Sequence, residues 1–255
     1  MIILKLGGSV VTDKSRPFSF REEVVRRLAE EIRDSDVEGL LIVHGGGAFG
    51  HPVASEYGIE DGLNEPGQLM GVAKTRAAMA ELNQRIVEVL VECGIPAVSI
   101  QTSAVFECRD KRIYSGRIEP VRDFLGIGAV PVLYGDVVVD RSLGVCILSG
   151  DQIVAYLAER LKPEQVILAT DVDGVLDKNG RVIERVNDAN APSAVEASFV
   201  PAGDVTGGMK GKIEELLELA KRGVSSVIVN ALVEDRLKNA LLGKKTIGTL
   251  FEVKR

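Results

Sequence analysis

The stretch His44-Gly45-Gly46-Gly47-Ala48-Phe49-Gly50-His51 decides the reading of this 255-residue chain. It follows Gly39-Leu-Leu-Ile-Val43, an apolar run of branched residues that predicts a buried strand. Four glycines within six positions open positive φ to the backbone and leave its N–H groups bare toward whatever lies above. Such a loop is an anion cradle. The chain re-enters helix near His51, so a phosphate held there also meets the partial positive charge of a helix start. A plain strand-to-helix turn is the simpler reading, and two further glycine clusters with nearby lysines weigh against it. Gly45-x-Gly47-x-x-Gly50 also matches the dinucleotide fingerprint, which expects an acidic residue ending the next strand about 20 positions on. Here Asn64-Glu65-Pro66-Gly67 forms a turn that leads into a helix.

Upstream, Met1 to Leu6 reads as a strand that runs directly into Gly7-Gly8-Ser9. Lys5 sits inside that apolar strand, and buried lysines are rare unless paired, so it is either a strand-edge residue snorkelling to solvent or an anion ligand, and the adjacent glycine pair favours the ligand. A polar loop from Thr12 to Pro17 carries Lys14 and precedes a helix from about Arg21 to Asp34. Downstream, a long helix spans Gln68 to Glu92, and its first turns, Leu69 to Met79, are expected to wall a greasy cavity. A strand at 97–100 follows, then a segment at 101–128 with a turn expected at Tyr114-Ser-Gly116. A strand at 129–133 and a hairpin of 137–139 with 145–148 come next.

Ser149-Gly150-Asp151-Gln152 opens a helix that runs to about Leu161, with Ser149 as N-cap and Asp151 as a first-turn acid. A strand at 166–169 ends in Thr170-Asp171-Val-Asp173-Gly174-Val175. Its paired carboxylates suit ribose hydroxyls or magnesium, or simply an Asp-Gly turn. After a polar loop at 184–204, Thr206-Gly207-Gly208-Met209-Lys210-Gly211-Lys212 opens an amphipathic helix. This departs from a Walker A loop, because Thr206 replaces its first glycine and Ile213 its Ser/Thr. Strands at 224–229 and 248–251 flank a last helix at 232–242. The alternation predicts an α/β fold with a mostly parallel sheet and helices on both faces. In such sheets ligands gather beyond the carboxyl ends of the strands, where all three glycine clusters and Asp171 fall.

Composition narrows the function. The length suits one large domain or two intimately joined lobes. Cys93, Cys108 and Cys146 are scattered and only two histidines occur, so neither a disulfide framework nor a zinc site is expected, and the protein reads as cytoplasmic. The apolar start is too short for a signal peptide or a membrane span. A net charge of −6 argues against nucleic-acid binding, while a small anion held by a few buried lysines remains compatible.

Lys5, Lys14, Lys212, Asp151 and His51 converge with the glycine turns on one edge. Two separate anion cradles suggest two phosphates held opposite one another. Phosphoryl transfer needs alignment and cations more than covalent help. These motifs, Lys5-Leu-Gly-Gly-Ser9, His44-Gly-Gly-Gly47, Asp171-Val-Asp-Gly-Val175 and Gly207-Gly-Met-Lys-Gly-Lys212, make the whole chain resemble the amino-acid kinase superfamily. Ala48-Phe49-Gly50-His51 is similar, more narrowly, to the isopentenyl phosphate kinases. The resemblance implies a three-layer sandwich in one domain, 1–255, with an acceptor lobe over 1–162 and a nucleotide lobe over 163–255. It further implies that Lys5, Leu6, Gly7, Gly8, Ser9, Gly47, Asp171, Leu176, Gly208 and Lys212 bind ATP, and that Lys14 stabilises the transition state. Gly46, His51 and Gly150 are implied to bind isopentenyl phosphate, with Asp151 organising the lysines. Magnesium with no protein ligands assigned, and a homodimer, come from the same resemblance. Kinases of this fold acting on a carboxylate, a carbamate or UMP are the nearest alternatives. A non-catalytic nucleotide-binding regulator is the alternative of another class, and it would be expected to lack Lys14, Asp151 or Lys212.

Overall fold

Runs of apolar residues at strand length form the central layer of the protein. The computed structural model describes residues 1–187, 190–192, 194 and 208–252, with the backbone alone at positions 208 and 209. Strands β1 (Ile2–Leu6), β2 (Leu40–His44) and β6 (Val130–Tyr134) are buried along their whole length. So is nearly all of β9 (Gln165–Thr170). Continuous burial marks parallel strands covered on both faces. With β3 (Ala97–Ser99), β10 (Arg185–Val186), β11 (Ser225–Asn230) and β12 (Gly248–Phe251) they form an eight-stranded sheet in the order β10-β12-β11-β9-β1-β2-β6-β3. Every described pairing in it is parallel except β11 with β12.

One face of the sheet packs its core against helices α2 (Glu22–Ser35), α4 (Gln68–Glu92) and α9 (Arg236–Leu241). The other packs against α7 (Gly150–Leu161) and α8 (Gly208–Lys221). The three-layer α/β sandwich expected from the alternation is therefore present. The expected lobe boundary near 162 falls between α7 and β9, inside the continuous sheet, because β1 pairs with β9 in register from Ile2 opposite Gln165 to Leu6 opposite Ala169. Glu31 ties early and late segments together: from α2 it accepts the backbone N–H groups of Asp235 (3.2 Å) and Lys238 (3.0 Å) at the start of α9.

A second sheet, ordered β5-β4-β7-β8, stands beyond the carboxyl edge of the first. It contains β4 (Phe106–Arg109), β5 (Arg112–Gly116), β7 (Asp136–Asp140) and β8 (Gly144–Leu148). The hairpin of β7 with β8 lies where its residues predicted. The turn expected at Tyr114–Gly116 does not: those residues belong to β5, and the chain reverses at Asp110 and Lys111, both at positive φ (51° and 63°). Positive φ in a non-glycine pair carries little sequence signal. Asp140 makes the turn possible. Its carboxylate accepts from the backbone N–H groups of Asp110 (3.2 Å) and Lys111 (2.8 Å) in one turn, and of Ser142 (2.9 Å) and Leu143 (3.1 Å) in the next. Burial pushes the carboxyl up, but these four donors outweigh it and hold Asp140 below the usual carboxylate range.

Replacing Asp140 with Ala leaves four turn N–H groups without their acceptor. We expect Asp140→Ala to lower the unfolding free energy in urea by roughly 3 kcal/mol. A loss below about 0.5 kcal/mol would show that water replaces the carboxylate at both turns.

Candidate active site

Strands β1 and β2 lie side by side with Leu6 opposite His44, so the loops that follow leave the sheet together. They meet backbone on backbone. A Cβ on Gly8 would lie 2.6 Å from the N of Gly47, and one on Gly45 would lie 2.9 Å from the N of Gly8. Gly47, at φ +45°, has no room for a side chain against Thr12 Oγ1. That hydroxyl donates to the carbonyl of Gly8 (2.6 Å) and accepts from the N–H of Ala48 (2.9 Å), clasping the loops together. Helix α3 (Gly47–Glu56) starts at the second loop, and a four-residue helical turn, α1 (Gly8–Val11), replaces the simple glycine turn expected after β1.

Beneath the second loop His44 is fully buried and serves as scaffold. Its Nδ1 donates to the Gly45 carbonyl (3.1 Å), its Nε2 accepts from Asn83 Nδ2 (3.1 Å), and its ring stacks on Tyr134 at 5.5 Å. Burial drives its pKa from 6.5 down to about 4, so the imidazole is neutral. Met79 of α4 packs on the same loop, its Sδ within 3.0 Å of where side chains at Gly46 and Gly50 would begin.

The cationic centre joins three elements. Lys5, 6% exposed in β1, places Nζ 2.8 Å from Oδ1 of Asp151 in the first turn of α7. Lys212 of α8 places Nζ 3.9 Å from Oδ2 of the same carboxylate. Ser149 caps α7 as its residue type predicted, accepting from the N–H of Gln152 at 3.3 Å, so Asp151 combines its helix-start place with the two lysines. A Cβ on Gly150 would come within 3.1 Å of Lys5 Cε; glycine there leaves the lysine its path.

These groups open into one cleft of about 1100 Å³, counting its mouth. Gly7, Gly8, Ser9, Gly46 and Gly47 line it, with Lys5, Asp151 and Lys212. His51, Gly150, Asp171 and the exposed Lys14 complete the residues selected from the sequence that reach it. Three selected residues fall outside the lining: Leu6 is buried in β1, Leu176 is 40% exposed and forms an isolated antiparallel bridge with Val182, and Gly208 opens α8. Thr206 and Gly207 lie outside the described residues. Of the paired carboxylates, only Asp171 faces the cleft. Asp173 accepts from Asn230 Nδ2 (2.8 Å) and pairs with Arg236, which together hold it below the usual carboxylate range. Among the described residues no three carboxylate, histidine or cysteine side chains gather as a metal set.

The apolar wall differs from expectation. Leu69 and Met70 are 61% and 58% exposed and lie outside the cleft, because α4 turns toward it only from Thr75 and Met79. The rest of the wall is Ala54 of α3 with Val137, Ile147 and Leu148 of the second sheet, where Val137 faces Ile147 across the hairpin. The hairpin itself was legible, but not that it folds back over the glycine loops. Asp136 was also missed. It is a buried carboxylate at the cleft wall, pushed up by burial, with Arg76 Nε 3.6 Å away.

Residues 1–230 match the model of the amino acid kinase family. The chain is 42% identical to isopentenyl phosphate kinase of Methanothermobacter thermautotrophicus, covering 98% of both chains. It is 39% identical to isopentenyl phosphate kinase of Methanocaldococcus jannaschii, covering 96% of both. An X-ray structure of isopentenyl phosphate kinase superposes with a TM-score of 0.86 at 40% identity, over 98% of this chain and 99% of that one.

The depressed pKa of His44 has a stability consequence. As pH falls below 6.5 the unfolded chain takes up a proton that the folded one refuses until about 4. The stabilisation is therefore complete above pH 6.5 and is lost toward pH 4, a total of roughly 3 kcal/mol. Urea unfolding of wild type and His44→Gln between pH 4 and 7.5 checks this, and equal slopes for both proteins would assign the lost stability to other groups.

Proposed function

The chain belongs to the amino acid kinase family, in its isopentenyl phosphate kinase branch, and from that premise we propose that it transfers the γ-phosphoryl group of ATP to isopentenyl phosphate, giving isopentenyl diphosphate and ADP. The observation that carries the reading is the Lys5–Asp151–Lys212 centre beneath two abutting glycine loops, with an apolar wall to one side.

The acceptor phosphate already carries a nucleophilic oxygen, so no general base is required. That oxygen attacks the γ-phosphorus in line, the new P–O bond forms as the bond to the β-phosphate bridging oxygen breaks, and ADP departs with the electron pair. What the protein supplies is position and charge. Lys5, Gly7, Gly8, Ser9, Gly47, Asp171 and Lys212 hold the nucleotide in this reading, with Leu6, Leu176 and Gly208 contributing through backbone. Gly46, His51 and Gly150 hold the acceptor phosphate, where an imidazole donates a hydrogen bond. Lys14 meets the charge that spreads over the moving group. Asp151 keeps two mutually repelling ammonium groups side by side.

The alkyl chain lies against Ala54, Met79, Val137, Ile147 and Leu148. Each CH₂ that leaves water there contributes about 0.8 kcal/mol. Among the described residues the cleft lining holds lysines and no arginine, which disfavours a carboxylate acceptor seeking a bidentate partner.

Magnesium would enter with the nucleotide and would supply charge neutralisation at the phosphates, with no protein ligand assigned to it. Residues 1–162 act as acceptor lobe and 163–255 as nucleotide lobe. A homodimer and a cytoplasmic setting complete the reading, the latter supported by three unpaired, buried cysteines.

ATP turnover against isopentenyl phosphate, dimethylallyl phosphate, UMP, acetylglutamate, aspartate and carbamate tests the acceptor. We expect turnover confined to the two prenyl phosphates. Activity on a carboxylate or UMP alone would leave the nucleotide site standing and refute the acceptor assignment. His51→Ala is expected to raise KM for isopentenyl phosphate at least about tenfold while KM for ATP changes little. The opposite pattern would mean that the two phosphate sites are exchanged.

A further inference from the structure

Lys14 sits on an exposed loop, and the loop is built around it. The N–H of Arg16 donates to the carbonyl of Asp13 (3.1 Å), closing a four-residue turn with Lys14 at its first corner. Aspartate is favoured at the opening position of such a turn. Its carboxylate then spans the turn. Oδ1 accepts from the N–H of Ser15 (3.0 Å) and from Ser15 Oγ (2.7 Å), and Oδ2 accepts from Nε (3.2 Å) and Nη2 (3.0 Å) of Arg16. Hydrogen bonds from Ser15 first, then Arg16, pull the Asp13 carboxyl down to about 2, so it stays ionised at any working pH.

The base of the loop is fixed to the second glycine loop. The N–H of Asp13 donates to the carbonyl of Ser19 (3.1 Å) and that of Phe18 to the carbonyl of Ala48 (3.0 Å), while the Phe18 ring stands edge-on to Phe49 at 5.5 Å. Thr12 Oγ1 accepts from the N–H of the same Ala48. One residue of the α3 start thus receives the loop through both its N–H and its carbonyl. The turn bearing Lys14 is thereby registered against Ala48 at the start of α3.

We propose that Asp13 is a positioning residue for phosphoryl transfer, holding the turn so that Lys14 enters the cleft at one place; the role rests on Lys14 being the cation that meets the transition state. A fixed charge aimed at developing charge lowers the barrier without reorganisation, and a misplaced one does not. Asp13 is absent from the cleft lining. Its loss therefore shows in kcat and spares both KM values.

The test is a double-mutant cycle with isopentenyl phosphate and ATP, with thermal unfolding to check that each variant folds. We expect Asp13→Ala to lower kcat about 10- to 30-fold, with both KM values within about threefold. Lys14→Ala is expected to lose about 100-fold, and adding Asp13→Ala to it should cost nothing more. Asp13→Asn, which keeps an oxygen for the Ser15 N–H, should recover most of the loss. If Asp13→Ala slows the Lys14→Ala enzyme by the same factor as wild type, or leaves wild-type kcat unchanged while Lys14→Ala is impaired, the positioning role is overturned and Lys14 keeps its own. A Lys14→Ala enzyme with near-normal kcat overturns the role of Lys14 and that of Asp13 with it.

Discussion

The contact on which the rest of the site depends is between two pieces of backbone. Because β1 and β2 are neighbours in register, the loops that follow them emerge at the same height, and at Gly8, Gly45 and Gly47 they approach more closely than any Cβ allows. The glycines therefore do two things with one property. They let the two loops touch, and that contact fixes how far apart groups carried on the two loops can sit. Thr12 fastens the arrangement from below, since its hydroxyl is both donor to one loop and acceptor from the other.

The electrostatics follow from that geometry. Lys5, Lys14 and Lys212 line one cleft, and Asp151 offsets part of their charge. In the free protein like charges are held together at a cost, which is the usual signature of a site arranged for its ligand and not for stability. A chain with a net charge of −6 can carry such a centre because the acidic excess lies elsewhere. Asp151 is well placed for its part: the helix start that favours an acid in its first turn also aims that acid at the lysine rising from β1.

The central sheet was legible because buried parallel strands leave unbroken apolar runs, as in Leu40 to Val43 and Val166 to Ala169, bounded by glycine or helix starts. The charged centre was legible because a lysine inside a strand has few structural uses. What escaped was set by tertiary context. The α4 face that meets the cleft and the sheet passes through Thr75, Met79 and Asn83, a mixed stripe that apolar periodicity overlooks, while Leu69 and Met70 look like its start and point outward. The reversal at Asp110 and Lys111 carries no glycine, and it is held by Asp140 from a strand some 30 residues on, which local sequence does not announce.

The two halves of the cleft come from different parts of the fold, and this separates what they control. Every lysine and glycine loop lining the cleft hangs from the carboxyl edge of the large sheet or from the starts of α3, α7 and α8. The apolar wall comes instead from the flanks of α3 and α4 and from the hairpin of β7 with β8 in the second sheet. A change of side chain at Val137 or Ile147 alters the space along this wall by a methylene or two, and neither residue takes part in the Gly8–Gly47 contact or the Lys5–Asp151 pair. In the proposed reaction, alignment of the phosphates would be set by backbone that tolerates no side chain, and the fit of the acceptor by side chains that can vary. A fold divided in this way can keep one transfer geometry while its acceptor changes.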